Sequence, residues 1–315
     1  MKSNKKALIA LAIAATMGLS SAANAGVLAS STFSITNFLL SDATTGATLK
    51  VSDFGGTLVA TNNAGVAASL SGFPTANGAF NLPITDTHTD LPKVCVGPGC
   101  GTSPAENNFV VLTPPPVGNN FANADQLLIG SSLDLGAGTT GANAFVRSDV
   151  SLTGTATGSA SSNVGVNASF AFNLATAKNI GVKFNALSSL LAFSDIGTIF
   201  PGNAQASTSL SIVLSDVNGN TVFDFNNAPG RQRNGTLCTL NQTRNRNAPI
   251  NGTSNFTCDA VFSANTGLLG PGIYQLSIRQ NSNTNALLVP EPGVLSMLGL
   301  GLLGMGAALR KRKAA

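Results

Sequence analysis

From Val164 to Leu174 the chain reads Val-Gly-Val-Asn-Ala-Ser-Phe-Ala-Phe-Asn-Leu, with six apolar residues at alternate positions and small or polar ones between. Successive side chains leave a strand on opposite sides, so a period of two belongs to a strand with one buried face. The pattern recurs. Leu210, Ile212 and Leu214 alternate with Ser209, Ser211 and Val213, and Tyr274, Leu276 and Ile278 with Gln275, Ser277 and Arg279. Phe33 and Ile35 alternate in the same way with Thr32, Ser34 and Thr36. Asn218-Gly219, inside Asp216–Phe225, is a strong hairpin signal because both residues tolerate positive φ. Asn62-Asn63 and Asn77-Gly78 are further turn candidates. No stretch sustains a 3.6-residue period beyond about a dozen residues, and Ala122–Leu133 is the best short-helix candidate. The expectation is an all-β body, an antiparallel β-sandwich or jelly roll.

The two ends of the chain read differently. Lys2, Lys5 and Lys6 precede the apolar run Ala7–Leu19, and Ala23-Asn24-Ala25 is a small-residue exit. That order reads residues 1–25 as a secretory signal helix, handled by Sec-type export machinery and cut by signal peptidase between Ala25 and Gly26. At the other end Pro290 and Pro292 bracket Glu291 and disfavour helix there. The run Val294–Leu309 then carries no charge, and Arg310, Lys311, Arg312 and Lys313 follow it. As a helix this run rises about 24 Å, a little short of a hydrocarbon core of about 30 Å. Flanking residues and the snorkelling stems of Arg310 and Lys311 extend it to a single transmembrane helix, 294–309, whose basic end stays cytoplasmic.

This tail, 289–315, closely resembles the PEP-CTERM sorting domain of exported bacterial proteins. The matching residues are Pro290-Glu291-Pro292, the span Gly299-Leu300-Gly301-Leu302-Leu303-Gly304, and Arg310-Lys311-Arg312. The resemblance implies a membrane enzyme, exosortase, that cuts near Pro-Glu-Pro and passes the protein to the cell surface or matrix of a Gram-negative-type bacterium. It also implies a role in biofilm or floc, and says nothing of the fold.

Processing changes the charge. The chain carries +4 overall, yet between Gly26 and Pro290 ten Lys and Arg face twelve Asp and Glu, leaving the body near −2. No basic patch with interleaved aromatics survives processing, so nucleic acid is not an expected partner. Arg231, Arg233, Arg244 and Arg246 are the one basic concentration of the body, read as a solvated loop, with a contact to acidic exopolysaccharide as the sharper alternative. Charged residues are only 10% of the chain, against about 25% in ordinary domains. Regularly placed apolar residues nevertheless argue against disorder.

The body, 26–288, reads as one sandwich. A sub-boundary in the Pro-rich stretch 91–120 would instead split off a small N-terminal unit. Residues 226–258 form a second polar excursion, and long loops on a β scaffold are where binding usually sits. Cys95, Cys100, Cys238 and Cys258 lie in the exported body and allow three disulfide connectivities. Pairing Cys95 with Cys100 and Cys238 with Cys258 staples each long loop. A zinc site fits the spacing poorly.

Asp86, His88 and Asp90 alternate around the single histidine and read as an exposed polar loop, with a metal-facing trio as the alternative. Asp216, Asn218, Asn220 and Asp224 faintly resemble a calcium loop but lack the Glu of an EF-hand. One histidine, no Trp and no nucleophile elbow leave no catalytic assignment. The leading expectation is a structural protein of the cell surface or extracellular matrix. A glycan- or calcium-binding jelly roll is the alternative, and an exported hydrolase using paired carboxylates is a weaker third.

Overall fold

The computed structural model describes residues 26–54, 59–83, 89–115, 118–130, 141–153, 158–195, 202–225, 229–232, 235–247 and 252–288. The expected signal segment, 1–25, and the tail, 289–315, lie outside the described residues. Among those described, no helix is long and apolar enough to cross a membrane.

The described chain is almost entirely antiparallel sheet. The strands are β1 (Gly26–Asp42), β2 (Val59–Leu70), β3 (Ala76–Pro83), β4 (Thr89–Val96), β5 (Phe121–Ile129), β6 (Ala142–Thr153), β7 (Gly158–Leu174) and β8 (Lys178–Asp195). They continue with β9 (Gly202–Asp216), β10 (Thr221–Phe225), β11 (Gly230–Gln232), β12 (Leu237–Cys238), β13 (Gln242–Asn247), β14 (Gly252–Leu269) and β15 (Gly272–Leu288). An eight-stranded sheet runs β12-β11-β14-β8-β1-β6-β5-β4, and a seven-stranded one β10-β9-β15-β7-β2-β3, with β13 also pairing with β9. Strands from both sides of the Pro-rich stretch enter both sheets, β1 beside β6 in one and β2 beside β7 in the other.

The period-two runs land as strands with one face inward. Val164, Val166, Phe170, Phe172 and Leu174 of β7 are buried in one apolar cluster with Leu210, Ile212 and Leu214 of β9 and Leu276 of β15, all on the inner face of the seven-stranded sheet. Phe38, Phe184, Phe225 and Phe262 interlock there, with Phe184 and Phe262 stacked at 5.3 Å. A second apolar cluster, built on Val27, Ala29, Val150, Leu190 and Leu288, fills the other end. Between the two lies a seam of hydroxyls that bond from sheet to sheet. The Ser282 Oγ donates to Ser31 Oγ at 2.7 Å, Ser148 Oγ stands 2.9 Å from Ser282 Oγ, and Ser188 Oγ 2.9 Å from Thr208 Oγ1. Gln280 reaches across by donating from Nε2 to the Phe33 carbonyl at 2.7 Å.

Several local expectations need correction. The helix expected over Ala122–Leu133 does not form in its described part, because Phe121–Ile129 is β5, paired on both edges with β4 and β6. Alanine favours helix in isolation, but Ala122, Ala124 and Leu128 face the core with period two, and pairing overrides propensity. Asn62-Asn63 and Asn77-Gly78 are not turns; they lie opposite one another's strands within β2 and β3. The chain instead reverses at 71–75, where Gly72 takes φ 85. The Asn218-Gly219 turn does form, with Gly219 at φ 81 and its N–H donating to the Asp216 carbonyl at 3.0 Å.

Candidate functional site

The Pro-rich stretch divides into the strand β4 and a strap. After Cys95 the chain makes a short 3-10 turn, Pro98–Gly101, closed by the Cys95–Cys100 disulfide with a Cα–Cα distance of 5.8 Å. Gly97 and Gly99 pack so tightly against the backbone of Asn119 and Asn120 that a Cβ on either would collide with it. The chain then crosses the outer face of the eight-stranded sheet before returning as β5. Leu112 N–H donates to Ser30 Oγ at 3.0 Å, and the Phe109 and Phe145 rings stack at 5.3 Å.

Beneath the strap sits a buried ionic network. Arg147 is 1% exposed and Asp149 fully buried, with Nε donating to Oδ2 at 2.5 Å. The Asp149 carboxylate also accepts from Ser30 Oγ at 2.6 Å and from Asn123 Nδ2 at 3.2 Å. Arg147 Nη1 donates to the Asn108 carbonyl, so the guanidinium ties the sheet to the strap. Asn107, at φ 60, clamps two carboxylates at once. Its backbone N–H donates to Asp125 Oδ2 at 2.7 Å and its Nδ2 to Asp90 Oδ2 at 2.8 Å. Burial pushes the Asp125 carboxyl up to about 6, assisted by Glu106 and Asp90 and opposed by the N–H groups of Asn107 and Gln126. Its Oδ1 has no partner among the described residues and is the natural seat of a proton.

The 226–258 excursion is less of a loop than its composition suggests. It holds β11, β12, β13 and the start of β14, and it closes one edge of the sandwich. Cys238 of β12 is joined to Cys258 of β14, with a Cα–Cα distance of 5.8 Å. Arg244 and Arg246 are not solvated loop residues. On β13 they turn toward the opposite sheet, Arg244 Nε donating to the Asn255 carbonyl at 3.2 Å and Arg246 Nη2 to that of Thr253 at 2.5 Å. The Arg244 guanidinium also lies over the Phe256 ring at 4.7 Å, which fixes the pair as an edge suture. Arg231 stays exposed on β11, and Arg233 lies outside the described residues.

Asp86 and His88 also lie outside the described residues, and Asp90 belongs to the strap network. The Asp216 carboxylate is engaged by its own turn, accepting the N–H groups of Asn218 and Asn220 at 2.9 Å each and Asn220 Nδ2 at 2.9 Å. Asp224 projects from the β10 margin. Among the described residues no group of three or more His, Cys, Asp or Glu is arranged to hold a metal ion. The apolar cavity lined by Ile35, Phe38, Leu128 and Phe170 has about 50 Å³, too little for a sugar ring.

The outer face of the seven-stranded sheet has no strap among the described residues. Across β2, β7, β15 and β9 the registered rows read Asn63–Asn167–Arg279–Ser211, then Gly65–Gly165–Asn281–Ser209, then Ala67–Asn163–Asn283–Ser207. On β13 the row through Asn285 and Gln205 continues to Asn245. The centre of this face is a grid of neutral amides and hydroxyls around Arg279, with Asp224 at the β10 edge and exposed Val59, Ile273 and Leu287 toward the strand ends. Sequence reading passed over it, although the polar positions between the apolar ones were its signal.

The body is thus a two-sheet antiparallel β protein whose sequence ends in a separate C-terminal segment. Residues 288–313 of that segment match the family model of the PEP-CTERM protein-sorting motif, so the chain carries that motif. The motif marks export with exosortase as the processing partner. No curated protein and no solved structure matches the chain.

Proposed function

We infer that this is a non-enzymatic structural protein, displayed at the cell surface or released into the exopolysaccharide matrix after exosortase cuts near Pro290–Pro292. Export begins with the 1–25 signal, through Sec-type machinery and signal peptidase. Val294–Leu309 with Arg310–Lys313 then holds the intermediate in the inner membrane. The observation that carries the reading is the sorting motif at 288–313, C-terminal to a braced body whose open face is rich in amides and hydroxyls. A surface of amides and hydroxyls suits a protein embedded among glycans, since it exchanges hydrogen bonds with sugar and water alike. Two disulfides suit an oxidising destination.

Intact mass of the mature protein, from its host with and without exosortase, tests this. The expected result is loss of the residues beyond about 290–292 only when the enzyme is present, with the protein in the matrix fraction. An uncut C-terminus in both strains, with the protein in the membrane fraction, would leave a plain anchor and overturn the reading.

A further inference from the structure

The centre of the open face is a shallow cleft of about 290 Å³ lined by Asn63, Gly65, Gly165, Asn167, Arg279 and Asn281. Its floor is the backbone of Gly65 and Gly165, registered partners on adjacent strands; it lies bare at Gly65, while at Gly165 the Asn281 Oδ1 stands 2.7 Å from where a Cβ would be. Glycine inside a strand weakens it and marks a place where something approaches the backbone closely. No turn or positive φ requires Gly65, and a Cβ there would meet only the Gly78 carbonyl at 3.9 Å. The walls are polar. Asn63 and Asn167 each keep a buried Oδ1 with no partner among the described residues, while Asn281 Nδ2 donates to Ser209 Oγ at 3.3 Å. Arg279 is exposed and makes no ion pair among the described residues.

We propose that this cleft is a binding site for a carboxylated sugar chain, a uronic-acid oligosaccharide. Arg279 takes the carboxylate in its planar fork, the amides of Asn63, Asn167 and Asn281 take hydroxyls, and the ring lies over the Gly65–Gly165 floor. The chemistry selects among occupants. A nucleic acid needs a row of cations to match its phosphates, and only Arg279 stands in the cleft. A peptide strand needs apolar pockets for alternate side chains, and the walls offer amides instead. A hydroxyl-rich chain carrying a single carboxylate per ring fits one guanidinium among neutral amides. The proposal rests on the matrix reading for where such a polymer would be met, and on the cleft alone for how it is held.

Calorimetric titration of the full-length protein in detergent micelles tests it, with hexagalacturonate as probe and neutral cellohexaose at the same ionic strength as comparison. Hexagalacturonate should bind saturably and at least about 10-fold tighter than cellohexaose, as a charge-assisted contact requires. Arg279→Gln should weaken it by about 10-fold or more. Gly65→Val, which fits the strand and fills the floor, should do the same with the unfolding midpoint unchanged or raised. Arg231→Gln, an exposed arginine on the other sheet, should leave binding as it was. Absence of hexagalacturonate binding, equal binding of cellohexaose, insensitivity to Gly65→Val, or equal weakening by Arg231→Gln would each sink the site. Such a failure with exosortase-dependent trimming intact would leave the matrix role standing, because the intact mass alone decides that.

Discussion

On the eight-stranded sheet the outer face carries Arg147, Asp149 and Asp125, and the chain folds back to roof them. On the seven-stranded sheet the outer face carries Asn, Ser and Arg279, with Asp224 at its β10 edge, and among the described residues nothing roofs it. The chain is sparing with charge, yet it removes an ion pair from water and leaves its neutral amides outside. Solvation explains the division. Neutral amides and hydroxyls lose little by facing water, so they need no partner segment. A buried guanidinium–carboxylate pair costs solvation energy and holds only if every lone pair and proton is met. That requirement gives the strap one position, since Asn107, Asn108 and Leu112 each satisfy a group below.

The sharpest way to break this contrast is to remove one partner under the strap. Asp149→Ala leaves the Arg147 guanidinium buried without its carboxylate, and the expected loss is about 3–5 kcal/mol in urea unfolding. The double change Arg147→Met with Asp149→Leu should recover much of it, because a matched apolar pair leaves no orphan charge. A loss below about 1 kcal/mol for Asp149→Ala would mean that the strap lifts and hydrates the arginine.

The disulfides brace the two excursions to different degrees. Replacing Cys238 and Cys258 by Ser opens a loop of 20 residues and should cost about 3 kcal/mol in the chain-entropy account. Cys258 is also fully buried, so the serines add a polar group to the core. Replacing Cys95 and Cys100 opens a span of only 5 residues and should cost about 2 kcal/mol. Guanidinium unfolding of both variants under non-reducing conditions checks the order, and a larger loss at the short loop would make the strap the weaker foundation.

The two faces also differ in how far the sequence announces them. Strand alternation at Val164–Leu174 and Leu210–Leu214 is visible because one face is apolar and the other polar. That pattern is enough to place the open Asn face, had the polar positions been read as a surface in their own right. β1 hides its arrangement, since Leu28, Ser30 and Thr32 on its outer side are as buried as Val27 and Ala29 on its inner side. What buries them is a segment about 80 residues away, and no local period reports a roof. Ala122–Leu133 misleads for the same reason: helix propensity is local, whereas its partners on β4 and β6 are not. Arg244 and Arg246 look solvated beside Asn and Gln until β13 aims them at the carbonyls of β14. The cysteine pairing was legible because each pair falls within its own excursion.

Acid should tighten the roofed face. Asp125 titrates near 6 in the fold and near its ordinary value when unfolded, so between those values the folded state binds more protons. Stability therefore rises as pH falls from about 7 to about 4, by an amount on the order of 2 kcal/mol. The proton sits on Oδ1, leaving Oδ2 free to keep accepting the Asn107 N–H. Asp42, Asp53 and Asp216, each held below its ordinary value first by hydrogen bonds, act the other way, and their contribution is lost as pH falls below about 4. Urea midpoints should thus peak between these windows, and Asp125→Asn should remove the upper slope. A wild-type midpoint that falls steadily from pH 7 to pH 4 would mean that water reaches Asp125 beneath the strap.

The smallest effect sets one residue type on both faces. Asn163 projects from β7 on the open face, and Asn163→Ala should change stability by no more than about 0.5 kcal/mol, since its amide exchanges one water for another. Asn123 lies fully buried on β5 and donates to Asp149. Asn123→Ala should therefore cost about 1–3 kcal/mol through the carboxylate oxygen it leaves short of a donor. Urea unfolding of the two variants in parallel measures the difference. Equal costs would mean that the open face is covered in solution, by another copy or by the tail. Equal and negligible costs would mean instead that water under the strap replaces the lost amide, and the distinction between a roofed and an open face would then be one of geometry rather than of energy.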